Sequence, residues 1–533
     1  MSAMSLAFPS GSGNAPWLPG PFASAGAIAL ATATPACLAL QLTPSSTAIQ
    51  SLTALGLWGL ALMVAAATGA GREVWWRGLL WGWLLVAVFN AGVGLVQVFV
   101  APATDYWLLA RSALPGRATG NVRQPNLLGT LLLWGAVAVV ALGALSARRG
   151  ALSRRRWVLM GSVLVLLVSV LVLSASRTAL FLGLPVLVVW GLADRSLPKP
   201  WRVLLVATPA IALGAGWVLH GLAEWMGLGL GAEARLAQEG MQSTSRLQVW
   251  RETWALILAH PDGVGWHGFN KAWTLTPFPG RSPHFFDHTH NLPLQLIVTL
   301  GWLRGGVACA LLLIGYGAAT WQAWRAQGEE ATCRRAAWAA LSVVGAHSLM
   351  EYPLWYPVFL LPTLAAGVLC WLPEADASPT RAARTGWRAG WAALGLALML
   401  GSAWAAWEYR QVSAIYAPSA GDARSLATRI AAGQRTFFFS RQADYAAATA
   451  LGDGPAALAA AERTSLALID TRLLMAWARS LHAAGQTDKA RWLVARLREF
   501  RKPDGEAWLA ECDTDPSLWQ CQPPEGVYGW REF

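Results

Sequence analysis

Charge is scarce in this sequence: 13% of its 533 residues are Asp, Glu, Lys or Arg, against roughly 25% in an ordinary soluble domain. That scarcity argues against a soluble enzyme, and the composition is neither collagen-like nor that of a disordered chain. No Lys or Arg precedes Arg72, so the basic start of a cleaved secretory signal is missing and the first apolar segment is expected to insert and stay. The chain has no P-loop, no Gly-x-Ser-x-Gly elbow and no Cys-x-x-Cys pair, which removes three common routes to a function from sequence. Cysteines are few. Cys37, Cys309 and Cys370 lie in apolar stretches and Cys333 in a basic loop, where reduced thiols are expected; Cys512 and Cys521 lie in the tail, with a local disulfide open to them.

What the chain has in quantity is apolar surface: 55% hydrophobic residues, 52 Gly and 32 Trp, with a mean hydropathy of +0.40. Gly and Trp are both enriched in membrane spans and at their interfaces. Stretches long enough to cross a hydrocarbon core of ~30 Å fall near 22–42, 48–69, 76–101, 126–147, 156–174, 178–193, 201–220, 291–320, 336–350, 354–372 and 388–410. The expected fold is all-α: a polytopic membrane domain over 1–410, with about eleven spans and a large outer loop over 221–290, followed by a soluble helical domain over 411–533.

The chain carries 41 basic and 29 acidic residues, a net charge of +12. This excess is not a sign of nucleic-acid binding, because it is concentrated in five short loops. They hold Arg72 and Arg77; Arg148, Arg149, Arg154, Arg155 and Arg156; Arg195, Lys199 and Arg202; Arg325, Arg334 and Arg335; and Arg381, Arg384 and Arg388. With the acids Glu73, Asp194, Glu329, Glu330, Glu374 and Asp376 these sixteen basic residues make a net +10. Lys and Arg are retained on the cytoplasmic side, so alternation of eleven spans places every basic loop inside, the N-terminus inside and the C-terminus outside. In the tail, 470–501 shows helical periodicity around Ala484-Gly485-Gln486, as in a tetratricopeptide-type helix pair, either as a small helical cap or as a peptide-docking surface.

On that topology several polar residues collect on the outer side. Arg111, Arg117 and Arg123 precede the fourth span, Arg177 lies in a very short turn Ser174-Ala-Ser-Arg-Thr178, and Arg246 lies in the large loop. An outer arginine is either a planar fork for phosphate oxygens or a headgroup anchor. The large loop ends in His284-Phe-Phe-Asp287-His288-Thr-His290-Asn291-Leu-Pro293. Asn291 is a plausible N-cap, with Pro293 tolerated in the first turn. His290 then sits at the mouth of a membrane helix, whose positive end favours a neutral imidazole able to accept a proton, as a general base must. Zinc binding by the His284, His288, His290 and Asp287 cluster, or purely structural hydrogen bonding, are the other readings of this stretch. His347 and Glu351 follow at helical i, i+4 spacing near the outer end of a span, either as a functional pair or as a mutually satisfied structural one. Gly263-Val-Gly265-Trp-His-Gly268 matches a dinucleotide-binding pattern without its βαβ context and reads as a tight loop instead.

At these residues the chain resembles the O-antigen ligase and polymerase superfamily, and within it the PglL-type bacterial protein O-oligosaccharyltransferases. The resemblance rests on Gly120-Asn-Val-Arg-Gln-Pro-Asn126, Ser174 to Thr178, Ser245-Arg246-Leu with Trp250, His260-Pro with Gly263-Val-Gly265-Trp, His288-Thr-His290-Asn-Leu, His347-Ser-Leu-Met-Glu351-Tyr352-Pro-Leu, and the tail segment Trp492 to Arg501. Leu127 and Thr299 depart from the family pattern, where His and Glu are frequent. Thr299 removes one carboxylate able to orient His290, which leaves Glu351 for that role.

The resemblance implies an inner-membrane glycosyltransferase that moves a glycan en bloc from undecaprenyl diphosphate to a periplasmic hydroxyl, with inversion and without a metal or other cofactor. His290 is implied as the base, with His288 the other histidine able to take the proton. Arg177, Arg246, Arg123, Gln124, Asn126, His288, His347, Glu351 and Tyr352 are implied in substrate binding. The implied acceptor is a Ser or Thr of a pilin-like protein; ligation to lipid A core and repeat polymerisation use the same chemistry. A transporter of lipid-linked glycans is the rival class, but the polar residues crowd one face instead of lining a path through the bilayer.

Overall fold

The computed structural model describes residues 21–150, 153–231, 242–371, 381–467 and 469–533, with the side chains of Pro21 and of residues 242–245 and 381–384 outside the description. The expected position of the N-terminus, the loop acids Glu374 and Asp376, and part of the large outer loop fall outside the described residues. Among the described residues the secondary structure is helical, apart from a single bridge between Tyr106 and Leu109.

Among the described residues six helices are long and apolar enough to cross a membrane: Ala48–Thr68, Arg72–Phe99, Pro125–Arg148, Arg154–Leu173, Leu292–Arg325 and Thr385–Tyr416. Lys199–Val206 and Thr208–Trp225 make a seventh if taken as one span bent by 55°. Pro209 stands at the second position of the later helix, where its missing N–H and ring bulk account for the bend. Phe22–Cys37, Ala179–Ala193 and Pro357–Trp371 are apolar but shorter. Gly328–Ser348 begins with Glu329 and Glu330.

Pro125–Arg148 is the central helix, with the whole of its apolar window buried. Small residues let its neighbours come that close. A Cβ on Gly135 would meet the Ala87 Cβ at 2.1 Å, and one on Gly143 would meet the Trp201 ring at 2.2 Å. Trp134 fills the space beside them, with ring centroids 5.4 Å from Trp83 and 5.6 Å from Phe359. The helix starts where the sequence permits: Gln124 accepts a hydrogen bond from the Leu127 amide at 2.6 Å, and Pro125 occupies the first position, where its missing N–H costs nothing.

The basic loops gather at one end of this bundle. Arg72 pairs with Glu330, Arg149 with Glu73 and Glu329, and Arg335 with Asp194. Arg388 donates to the carbonyls of Ala66 and Ala67. Pro125–Arg148 and Gly328–Ser348 each have one terminus here. Their other termini carry Asn126 and His347 to the opposite end, so the two polar populations are a helix length apart.

A second apolar core joins the outer segment to the tail. Val249, Leu256, Phe269, Trp273 and Val298 pack with Val412, Leu473, Trp477, Leu493, Leu497 and Phe500. Arg281, 1% exposed, crosses between them: its guanidinium lies 3.0 Å from Glu499 and over the faces of Trp273 and Phe500. Burial pushes that guanidinium down to about 10. In the tail, Thr471–Ala483 and Thr487–Phe500 form an antiparallel pair around Gly485. Gly485 takes φ +76°, and the Gln486 amide reaches back to the Leu481 carbonyl, closing the first helix. Cys512 and Cys521 are joined by a disulfide.

Candidate active site

The helix Leu292–Arg325 is not continuous. At Gly301 the backbone leaves the helix with φ +84°, and the groups this frees must find other partners. The Gly263 to Gly268 loop supplies them. Val264 and Gly265 donate to the Val298 and Thr299 carbonyls at 2.9 and 3.0 Å, and Trp302 donates to the Pro261 carbonyl at 2.9 Å. The fit needs both glycines: a Cβ on Gly263 would stand 2.5 Å from the Thr299 carbonyl oxygen, and one on Gly301 would stand 2.6 Å from the Pro261 carbonyl oxygen. The dinucleotide-like motif is therefore a backbone clasp on a broken helix.

At the start of that helix Asn291 is the N-cap, accepting from the Leu294 amide at 3.0 Å. His290 precedes it with φ +52°, a left-handed conformation that a non-glycine residue keeps only where its surroundings hold it. They do so on both sides. The Thr289 carbonyl accepts from the Trp250 indole at 2.9 Å, and the Thr289 amide donates to Gln295 at 2.8 Å. The His290 ring turns to Glu351, with Nδ1 2.6 Å from Oε2.

Glu351 is the hub. Its other oxygen, Oε1, accepts from Asn126 Nδ2 at 3.1 Å and from the Arg246 guanidinium. Asn126 in turn accepts from the Ser176 hydroxyl at 2.6 Å. Four chain regions meet on one carboxylate, with a fifth reached through Ser176. Burial by itself would raise the Glu351 carboxyl, but the hydrogen bond from His290 and the charge of Arg246 hold it below the usual carboxylate range. An ionised carboxylate only accepts, so Nδ1 of His290 is the donor of this hydrogen bond.

Several residues expected at the site are engaged elsewhere. Arg123 pairs with Asp105 at 3.0 Å and donates to the Ala39 carbonyl, while Gln124 is spent on its N-cap. Arg117 clamps the end of a helix by donating to the Ser174 carbonyl at 3.1 and 3.2 Å. His347 is buried and bonds Thr130 at 2.7 Å rather than Glu351. The i, i+4 relation expected of His347 and Glu351 is kept by the backbone, the Glu351 amide donating to the His347 carbonyl at 2.9 Å, but their side chains part and the carboxylate bonds His290. His288 Nδ1 lies 3.1 Å from Asp287, and the ring stacks on Tyr352 with centroids 4.3 Å apart. Arg177 is exposed, in the residue next to Ser176. Among the described residues no three His, Cys, Asp or Glu side chains converge as metal ligands would.

The structure adds polar residues that carry no motif in the sequence. Asn90 and Gln97 are buried in the span Arg72–Phe99. Gln97 accepts from the Thr119 and Gly120 amides and donates to the Ala110 carbonyl, while Asn90 accepts from the Asn121 amide. They pin the loop leading to Asn126. Two amides seven residues apart in an apolar span share a helix face, which was the available signal.

Residues 162–307 match the family model described as O-antigen ligase, and residues 335–509 the one described as virulence factor membrane-bound polymerase, C-terminal. Over 361 residues the chain is 28% identical to a General O-oligosaccharyltransferase of Acinetobacter baylyi (strain ATCC 33305 / BD413 / ADP1). That alignment covers 64% of this chain and 58% of the relative. His290 and Arg246 lie in the first matched segment and Glu351 in the second, so the hub unites the two, and the chain is similar over these segments to the O-antigen ligase and membrane-bound polymerase families and to a General O-oligosaccharyltransferase.

Proposed function

We propose that this chain is a glycosyltransferase of the inner membrane that moves an oligosaccharide en bloc from undecaprenyl diphosphate to a hydroxyl on a periplasmic acceptor. The observation that carries the proposal is the buried Glu351 carboxylate gripping His290 on one oxygen and Arg246 and Asn126 on the other. Glu351 fixes the imidazole tautomer, and Nε2 takes the proton from the acceptor O–H. The freed oxygen attacks the anomeric carbon from the face opposite the diphosphate, the C1–O bond to phosphate breaks, and undecaprenyl diphosphate leaves with configuration inverted. Arg246 and Arg177 hold the phosphate oxygens and stabilise the charge that grows on them.

In this reading the six long helices, the bent pair, the three shorter apolar helices and Gly328–Ser348 together make eleven spans. The basic loops then face the cytoplasm and the Glu351 hub faces the periplasm. The tail lies on the hub side because it shares a core with the outer segment. A protein acceptor, pilin-like and modified at Ser or Thr, is favoured by the likeness to a General O-oligosaccharyltransferase. The second reading, transfer to lipid A core or to another glycan repeat, draws on the ligase and polymerase descriptions of the matched families.

Coexpression with a pilin and a lipid-linked glycan tests both. Glycosylated pilin is expected with the wild-type chain and none with His290→Ala, the variant remaining inserted in the membrane. Glycosylated lipid A beside unmodified pilin would select the second reading, and full product from His290→Ala would end the mechanism.

A further inference from the structure

A row of aromatic rings leads away from His290. Tyr352 meets the His290 ring at 5.0 Å between centroids and stacks on His288 at 4.3 Å, 14° from parallel. His288 meets Trp355 edge-on at 4.9 Å, and Trp355 lies 6.1 Å from Trp266 at 8° from parallel. The outermost ring, Trp266, is 54% exposed. The backbone that carries Trp266 is tied down. Trp266 follows Gly265, whose amide is bonded to the Thr299 carbonyl, within the clasp on Gly301. The clasp thus places a large exposed ring at the far end of the row, linked to the proposed base through Trp355, His288 and Tyr352. The carboxylate of Asp287, half exposed and 3.1 Å from His288, adds a hydrogen-bond acceptor at the edge of the row.

Aromatic faces carry partial negative charge. The C–H faces of a pyranose are polarised positively and are flat enough to lie against them, while its hydroxyls point outward to groups such as Asp287. We propose that Trp266, Trp355, His288 and Tyr352 form a stacking subsite for the saccharide rings of the donor glycan, seating the sugars beyond the one whose anomeric carbon reacts. This rests on the transferase reading above. Continuity with the His290 ring is what selects the donor: a glycan whose first sugar is held at His290 has its next rings beside Tyr352 and Trp355.

The test compares kcat/KM for two undecaprenyl diphosphate donors, one carrying a single sugar and one the full oligosaccharide, in wild type, Trp266→Ala and Trp266→Tyr. Trp266→Ala is expected to lower the ratio of long-donor to short-donor efficiency about tenfold, chiefly through KM, and Trp266→Tyr to recover much of it. An unchanged ratio overturns the subsite, whether the variant loses activity equally with both donors, changes only the KM for the acceptor, or changes only the ease of extraction from the membrane. Absence of transfer by the wild type with both donors overturns the transferase reading instead, so the two failures are distinct. Should Trp266→Ala fail to fold, Trp266→Leu, apolar but without a ring, takes its place: a lowered ratio supports stacking, and a ratio equal to wild type overturns it.

Discussion

The two ends of the helix bundle use the same chemistry, guanidinium against carboxylate, in opposite ways. At the basic end the pairs are distributed. Glu73, Glu329, Glu330 and Asp194 each serve arginines from other loops, and Arg149, 42% exposed, reaches two acids at once. At the other end a single carboxylate, 8% exposed, serves Arg246, Asn126 and His290 together. Exposed pairs such as Arg149–Glu329, 42% and 41% exposed, are screened and interchangeable, worth at most about 1 kcal/mol each; Asp194, buried and accepting from Arg335, Trp190 and Ser196, is the exception at this end. A buried acceptor with three donors has no substitute, because removing it strands all three. Arginines and acids are therefore many and spread out at one end, while at the other a single buried acid gathers three donors.

Substitutions can break this contrast. Glu351→Gln keeps the shape of the side chain but loses its charge, and glycan transfer in membranes is expected to fall by at least about 100-fold, the scale of a lost general base. The same variant has a pH signature. The folded-state carboxyl of Glu351 titrates below its ordinary value of 4.5, so its stabilisation is complete above that value and disappears as the pH falls through the depressed one. Tm measured against pH in detergent should lose part of its acid slope in Glu351→Gln; an unchanged slope would mean that Glu351 is not charged in the fold.

Gly301 and Gly150 sharpen the comparison through the backbone. Both have positive φ, +84° and +65°, but a Cβ on Gly301 meets Asp262 and Pro261 backbone atoms at 2.6 Å whereas one on Gly150 meets nothing within 4 Å. Gly301→Ala should lose roughly 1–3 kcal/mol and most of the transfer activity, on the scale of backbone strain at such sites. Gly150→Ala should lose less than half of that, as read by Tm and by product yield.

Arg177→Lys retains the charge but not the planar fork, and about a tenfold loss in transfer is expected with insertion unchanged. Full activity would reduce Arg177 to a headgroup anchor. The smallest effect belongs to the basic end. Arg149→Ala, which deletes a guanidinium paired with two acids, should alter transfer less than about twofold, and a loss like that of Glu351→Gln would erase the distinction between the two ends.

Much of this arrangement is legible in the sequence because it depends on one-dimensional signals. Basic loops report orientation, apolar length reports helices, and Asn291 before Leu-Pro reports a cap. Glu351 as a candidate partner of His290 is what the family resemblance implies once Thr stands at position 299. Other features are not legible for a common reason: spacing along the chain does not say which partner a side chain will meet. His347 and Glu351 look paired at i, i+4, and the backbone keeps that relation, yet the His347 side chain bonds Thr130 while the buried Glu351 carboxylate bonds His290 and Arg246. Arg117 and Arg123 look equivalent to Arg246 as outer arginines, and only packing shows that they serve carbonyls and Asp105. The Gly263 to Gly268 motif reads as a tight loop, but its partner lies 38 residues away at Gly301, out of reach of any local pattern.

Composition and charge order were enough to determine that this chain lives in a membrane as helices with its basic loops on one side, because burial of apolar length and retention of Lys and Arg act segment by segment. Which polar groups meet was decided by the tertiary structure alone. A hydrogen bond needs atoms within about 3 Å, and segments as far apart in the chain as Asn126, Arg246, His290 and Glu351 come that close only once the helices between them have packed.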